Sequence, residues 1–105
     1  MSYSGRPFFR IPRPLLLEGG VESKTISGDI TIVDKDSLFQ IIDGGGVNRA
    51  VTLPNEKSGR VYMIANVGAS HDLNLKKSDG TTPVGDVVHG ESHWVVCDGT
   101  NWFIL

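Results

Sequence analysis

The stretch His93-Trp94-Val95-Val96-Cys97-Asp98-Gly99-Thr100-Asn101-Trp102-Phe103-Ile104-Leu105 decides the fold class. Two runs of β-branched and aromatic residues flank Asp98-Gly99-Thr100-Asn101, where Asp can bond its own downstream backbone and Gly accepts unusual φ. That is a hairpin. It sets the Trp102 indole to seal a core and places Ile104-Leu105 inside a sheet. Toward the N-terminus the same pattern of short apolar run and turn recurs. Val84 to Val88 forms one run. Asp72-Leu73-Asn74-Leu75-Lys76 forms another, with both leucines on one face and the Asp79-Gly80 turn after it. Val61-Tyr62-Met63-Ile64-Ala65, Ala50-Val51-Thr52-Leu53 and Leu38-Phe39-Gln40-Ile41-Ile42 read as further strands, the second stopped by Pro54. Thr25-Ile26-Ser27 and Ile30-Thr31-Ile32-Val33 flank Gly28-Asp29 and read as a strand with a bend or bulge. Asp43-Gly44-Gly45-Gly46 reads as a wide hairpin turn. It is not a phosphate loop, since neither a helix nor Lys-Ser/Thr follows.

No segment sustains a helical period, turn signals recur every ~8–12 residues, and no internal repeat at solenoid spacing is visible. The expected fold is therefore all-β: a single small β-sandwich or barrel of about seven to eight short antiparallel strands. The 105 residues suffice for one such domain, and 13 glycines with 5 prolines fit a chain rich in turns. The domain is assigned to residues 21–105 and an extended arm to residues 1–20.

In that arm Pro7, Pro12 and Pro14 exclude a regular helix, and Gly19-Gly20 forms a joint before the domain. Fully extended, twenty residues reach on the order of 65 Å. The arm carries Tyr3, Phe8, Phe9, Ile11, Leu15, Leu16 and Leu17. Each apolar side chain gains roughly 1.5–3 kcal/mol from full burial, so a segment of this composition is built to dock. Arg6, Arg10 and Arg13 stand against Glu18, a net of +2, which leaves −4 on the rest of a chain whose total is −2. The arm is thus the part suited to an acidic partner. Three arginines interleaved with Phe8 and Phe9 give only modest phosphate affinity, so a protein surface is a better match than nucleic acid.

A single cysteine, Cys97, excludes an intrachain disulfide and suits a reducing cytoplasm. Leu15-Leu16-Leu17 is too short for a signal-peptide core, and no stretch approaches a membrane span. His89 and His93 have a metal spacing only on a helix, and here Gly90 lies between them. Cys97, flanked by Val95, Val96 and Asp98, reads as a structural thiol. Asp29, Asp43, Asp79, Asp86 and Asp98 lie beside or near glycines, as turn residues do. No catalytic constellation, metal site or cofactor is expected.

Residues 48–105 contain Val51-Thr52-Leu53-Pro54, then Gly59 leading to Tyr62-Met63-Ile64-Ala65-Asn66-Val67-Gly68, then Leu73-Asn74-Leu75 and Gly90-Glu91-Ser92. They end in Asp98-Gly99-Thr100-Asn101-Trp102-Phe103. In order and spacing these resemble a short β domain that recurs in virion proteins of tailed phages. In that resemblance Thr-Leu-Pro ends an edge strand and Asn-Val-Gly is a turn after a buried strand. The charged Lys76-Lys77-Ser78-Asp79 departs from the pattern. A free-standing domain with an apolar arm is similar to the capsid decoration (cement) proteins. The resemblance implies a homotrimer on the outer capsid surface, made in the host cytoplasm and bridging subunits of the major capsid protein, with no enzymatic role. Tyr3, Arg6, Phe8, Phe9, Arg10, Ile11, Arg13, Leu15, Leu16 and Leu17 would be the partner-binding residues. The rival expectation is a receptor- or glycan-binding module of a head or tail fibre, with Tyr62, Trp94 and Trp102 lining an exposed site. A small wall hydrolase ranks last.

Overall fold

Strand side chains alternate between two faces, so each short apolar run commits every second residue to one side. In the computed structural model, which describes residues 16–105, these runs give nine strands. They are β1 (Val21–Thr25), β2 (Ile30–Thr31), β3 (Phe39–Asp43), β4 (Arg49–Thr52), β5 (Val61–Asn66), β6 (Leu73–Lys76), β7 (Pro83–Val87), β8 (Ser92–Cys97) and β9 (Trp102–Ile104). Five form sheet A in the order β1-β3-β5-β8-β9, and four form sheet B in the order β2-β4-β6-β7. The described residues contain no helix, so none that could cross a membrane.

The fold is all-β as expected, but its connectivity differs from an antiparallel sandwich. From β1 to β6 the chain changes sheet at every step and returns parallel to its previous strand. Val21 lies beside Phe39 and Phe39 beside Met63, offsets of 18 and 24 residues. Ile30 lies beside Val51 and Val51 beside Leu75, offsets of 21 and 24 residues. The chain is therefore a coil of three turns, each laying one strand in each sheet. The sequence shows no internal repeat at solenoid spacing, and the repetition is one of strand placement in space, with turns of unequal length. Among the described residues the antiparallel pairs are β6–β7, β5–β8 and β8–β9.

Four local expectations change with it. The segment at Gly28-Asp29 does not bend one strand but carries the chain from sheet A to sheet B. Gly44-Gly45-Gly46 makes the same crossing between β3 and β4 and is not a hairpin turn. Its geometry needs glycine: Gly45 has φ 77°, and a Cβ there would lie 2.8 Å from the Ile26 carbonyl oxygen. Thr52-Leu53-Pro54 follows an interior strand of sheet B, whereas β9, expected inside its sheet, is an edge. The β8–β9 hairpin forms as read. The Asp98 carboxylate accepts from the backbone of Thr100 and Asn101, at 2.9 and 2.8 Å, which holds it below the usual carboxylate range.

Inward side chains of both sheets form one core. Ile32, Ile42, Val51, Ile64, Leu73, Leu75, Val87 and Val95 are fully buried, with Leu53, Tyr62, Cys97 and Trp102 nearly so. Buried Asn66 ties the two sheets: its amide donates to the carbonyls of Val87 and His71 at 2.9 and 3.0 Å, and its oxygen accepts from Gly68. Beside the core the Trp102 indole donates to Pro54 and Glu56. The Ser78 hydroxyl bonds the same carboxylate at 2.6 Å and is the main reason it ionises more readily than usual.

Where sheet B closes, β7 places Gly85 opposite Leu75, and Ile104 of β9 packs against the core. A Cβ on Gly85 would lie 2.6 Å from Ile104 Cδ1, on a backbone at φ 154°. Gly85→Ala is expected to cost about 1–3 kcal/mol by overpacking. In an Ile104→Val background, which removes that methyl, chemical denaturation should show a smaller penalty for Gly85→Ala.

Candidate protein-docking face

Once the core is satisfied, the two outer faces can be compared. In sheet B the outward positions are Thr31, Thr52 and Lys76 in one register line and Ala50, Asn74 and Asp86 in the next. Asn74 donates to Asp86 across strands at 2.8 Å. This is a polar face suited to water.

Sheet A differs. Its inward residues are Gln40 and Ile42 of β3, Tyr62, Ile64 and Asn66 of β5, Val95 and Cys97 of β8, and Trp102 of β9, all buried. The residues between them point outward. One register line runs Val21–Phe39–Met63–Trp94, and Ile41, Ala65, Val61, Val96 and Phe103 stand around it. Phe39 and Trp94 meet edge to face across Met63 with ring centroids 5.7 Å apart. Val21 at one edge is 63% exposed and Phe103 at the other is 47% exposed. Between them Phe39, Ile41, Met63, Trp94 and Val96 are half-buried. Asp43 is the one ionisable side chain among the outward residues of β3, β5, β8 and β9, and it already accepts from Gly45. A contiguous apolar face is a candidate interaction site.

The free side of β1 is not arranged to pair with another strand. Its inward positions hold Glu22 and Lys24, which pair at 3.1 Å over the end of the core. Inward charges on an edge strand oppose edge-to-edge addition. What sheet A offers a partner is therefore the side chains of its face rather than the backbone of its edge.

The arm residues Tyr3, Arg6, Phe8, Phe9, Arg10, Ile11, Arg13 and Leu15 lie outside the described residues. Leu16 and Leu17 are exposed, and the chain then turns through a Leu17–Gly20 backbone bond to join sheet A beside Leu38 and Phe39. The aromatic trio expected to line a glycan site is not assembled. Tyr62 and Trp102 face the core at 4% exposure each, with rings 6.3 Å apart, while Trp94 faces outward. Cys97 is buried and its Sγ accepts from Gly99. Among the described residues no three His, Cys, Asp or Glu side chains gather as metal ligands. A shallow cleft of about 240 Å³ lies among Thr31, Leu53, Pro54, Asn55, Arg60 and Ser78. Arg60 in it donates to the Asn55 carbonyl and stands 3.8 Å from Asp34, so its charge is occupied by the cleft wall.

The outward apolar face of sheet A goes beyond what a single apolar parity per strand predicts. The signal was present: Phe39 and Ile41 alternate with Ile42, and Val61-Tyr62-Met63-Ile64-Ala65 is apolar without interruption. Such runs belong to strands covered on both sides. The chain matches no protein-family model, and neither a curated protein nor a solved structure is similar enough to count as a match.

At the C-terminal edge of the sheet, His93 Nδ1 lies 3.1 Å from the Leu105 main-chain oxygen, and Nε2 lies 3.1 Å from Glu91. Both neighbours are acceptors, which only the doubly protonated ring satisfies. The Glu91 carboxylate, then the Leu105 oxygen, raise its pKa. A folded pKa above the unfolded one gives stability that is full below about pH 6.5 and is lost as pH rises through the folded value. Thermal melts of the wild type should fall modestly between pH 6 and 8, by no more than an exposed ion pair supplies, about 1 kcal/mol. His93→Gln should flatten that dependence.

Proposed function

We propose that this chain is a non-enzymatic virion protein of a tailed phage, a capsid decoration protein that binds the outer surface of the major capsid lattice. On this reading it bridges neighbouring capsid subunits as a homotrimer and stabilises the DNA-filled head. One observation carries the proposal: a domain whose core is complete still presents a second apolar face, and its arm alternates arginine with aromatic residues. Both features are means of holding protein surfaces. The resemblance of residues 48–105 to phage virion domains supplies the setting.

The arm is the capsid anchor. Phe8, Phe9, Ile11 and the leucines would fill apolar seams between capsid subunits, while Arg6, Arg10 and Arg13 meet carboxylates at the rim of those seams. Buried aromatics and arginines supply most of the energy in such contacts. A strap across a seam resists the opening that internal pressure from packaged DNA would cause. The rival glycan-binding role is the weaker reading, because two of its three aromatics belong to the core.

Binding to empty heads of the encoding phage tests the proposal directly. Phe8→Asp/Phe9→Asp is expected to weaken head binding at least a hundredfold, with the melting temperature of the isolated protein unchanged. Arg10→Glu/Arg13→Glu should weaken it by about tenfold, and raised salt should narrow that difference. Full occupancy of heads by the double aspartate variant would remove the arm from the mechanism.

A further inference from the structure

We propose that the two clefts beside Asp34 form a docking site for the root of this chain's own arm, with Arg13 as the side chain they take. The inference rests on the proposed reading in one respect, that Arg13 is wanted at the capsid. The seat is therefore a latch, which holds the arm until a head is met.

Three observations select the arm root as the occupant. The first is place. The segments that follow β2, β4 and β6 lie at the end of the sandwich where the described chain enters it. Two neighbouring clefts of about 240 and 230 Å³ open there, and Asp34 and Arg60 line both. Gly19 lines the second, so the chain enters along its wall. A bond from the Gly20 amide to the Leu17 carbonyl turns the chain just before this point. Arg13 precedes Gly19 by six positions, a reach of at most ~20 Å.

The second observation is charge. The second cleft holds Asp34 and Asp36 against Arg60, two carboxylates and one guanidinium, a net of −1. The side chain of Asp34 is 70% exposed, and Arg60 at 3.8 Å is too far for a hydrogen bond to it. Arg60 already donates to the Asn55 carbonyl at 2.7 Å. Among the described residues Asp34 thus has room for a second cation. The arm supplies three arginines, and Arg13 is the one nearest the cleft along the chain.

The third is shape. Leu53 and Pro54 in the first cleft and Leu38 in the second give apolar walls beside the carboxylates. Pro12 and Pro14 bracket Arg13 and fix φ on both sides of it, so seating its side chain orders little new backbone. A free basic peptide would have to find the cleft from solution, whereas the tether holds Arg13 at an effective concentration on the order of millimolar. An exposed ion pair is weak, which suits a latch. Capsid carboxylates, joined by the burial of Phe8 and Phe9, would outcompete it.

Trypsin reads the latch in the full-length protein. Arg6 and Arg13 precede prolines and resist cleavage, so Arg10–Ile11 is the cut site of the arm. Its rate is followed by mass and normalised to a free peptide of residues 5–16 carrying the same substitution. The wild type should be cut at least threefold more slowly than its peptide. Asp34→Asn and Arg13→Gln should each remove most of that protection, as should salt at about 0.5 M. The charge swap Arg13→Glu/Asp34→Lys should restore it. Arg13→Gln lies outside the strands and Asp34 is exposed, so thermal melts should stay within a degree or two of the wild type. Equal rates for protein and peptide, protection that survives Asp34→Asn, or a swap that restores nothing would each overturn the latch. Protection that disappears on dilution would assign the cleft to the arm of another molecule, and would overturn it too. Head binding, scored separately, keeps the two proposals apart. Protection without head binding counts against decoration alone, and head binding without protection counts against the latch alone.

Discussion

A β-strand can give only every second residue to one core, and that limit governs the molecule. Ile42, Ile64 and Val95 of sheet A meet Val51, Leu73, Leu75 and Val87 of sheet B, and this contact holds the three parallel turns together. The turns share few local contacts, so without the common core each strand would be an isolated ribbon of a few residues, marginal in water. Asn66 is the polar counterpart of this contact. Its amide reaches across to the Val87 carbonyl and fixes where the sheets approach.

The coil ends differently at its two extremities. Toward β1 the inward ladder grows steadily more polar, from Ile64 to Gln40 to Glu22. Gln40 donates to the Ser37 carbonyl, and its buried Oε1 has no partner among the described residues. At the other extremity the chain turns antiparallel and closes tightly: Ile104 fills the space left at Gly85, and Trp102 is clasped by Pro54 and Glu56. The described chain enters the fold at the polar end, through Leu17 to Gly20 into β1.

The same parity limit creates the docking face. Sheet B uses its second parity for Thr31, Asn74, Lys76 and Asp86 and faces water. Sheet A uses its second parity for Phe39, Met63, Trp94 and Val96 and is left with an apolar surface that its own core cannot absorb. The core and the outer apolar face thus draw on alternate residues of the same strands.

By itself the sequence determined that the chain is built of short strands, where most of them begin and end, and that Asp98 to Asn101 turns a hairpin, because alternation and turn chemistry are local properties. It also held both apolar parities of β3 and β5 in plain view. Only the tertiary structure decided that successive strands lie in opposite sheets, that the early ones pair in parallel, and that Trp94 faces outward while Trp102 faces inward. Those facts depend on which strands become neighbours across 18 to 24 residues of chain. Such pairings are set by the burial of a core assembled from the whole domain, and turns of unequal length leave no periodic trace of them in the sequence.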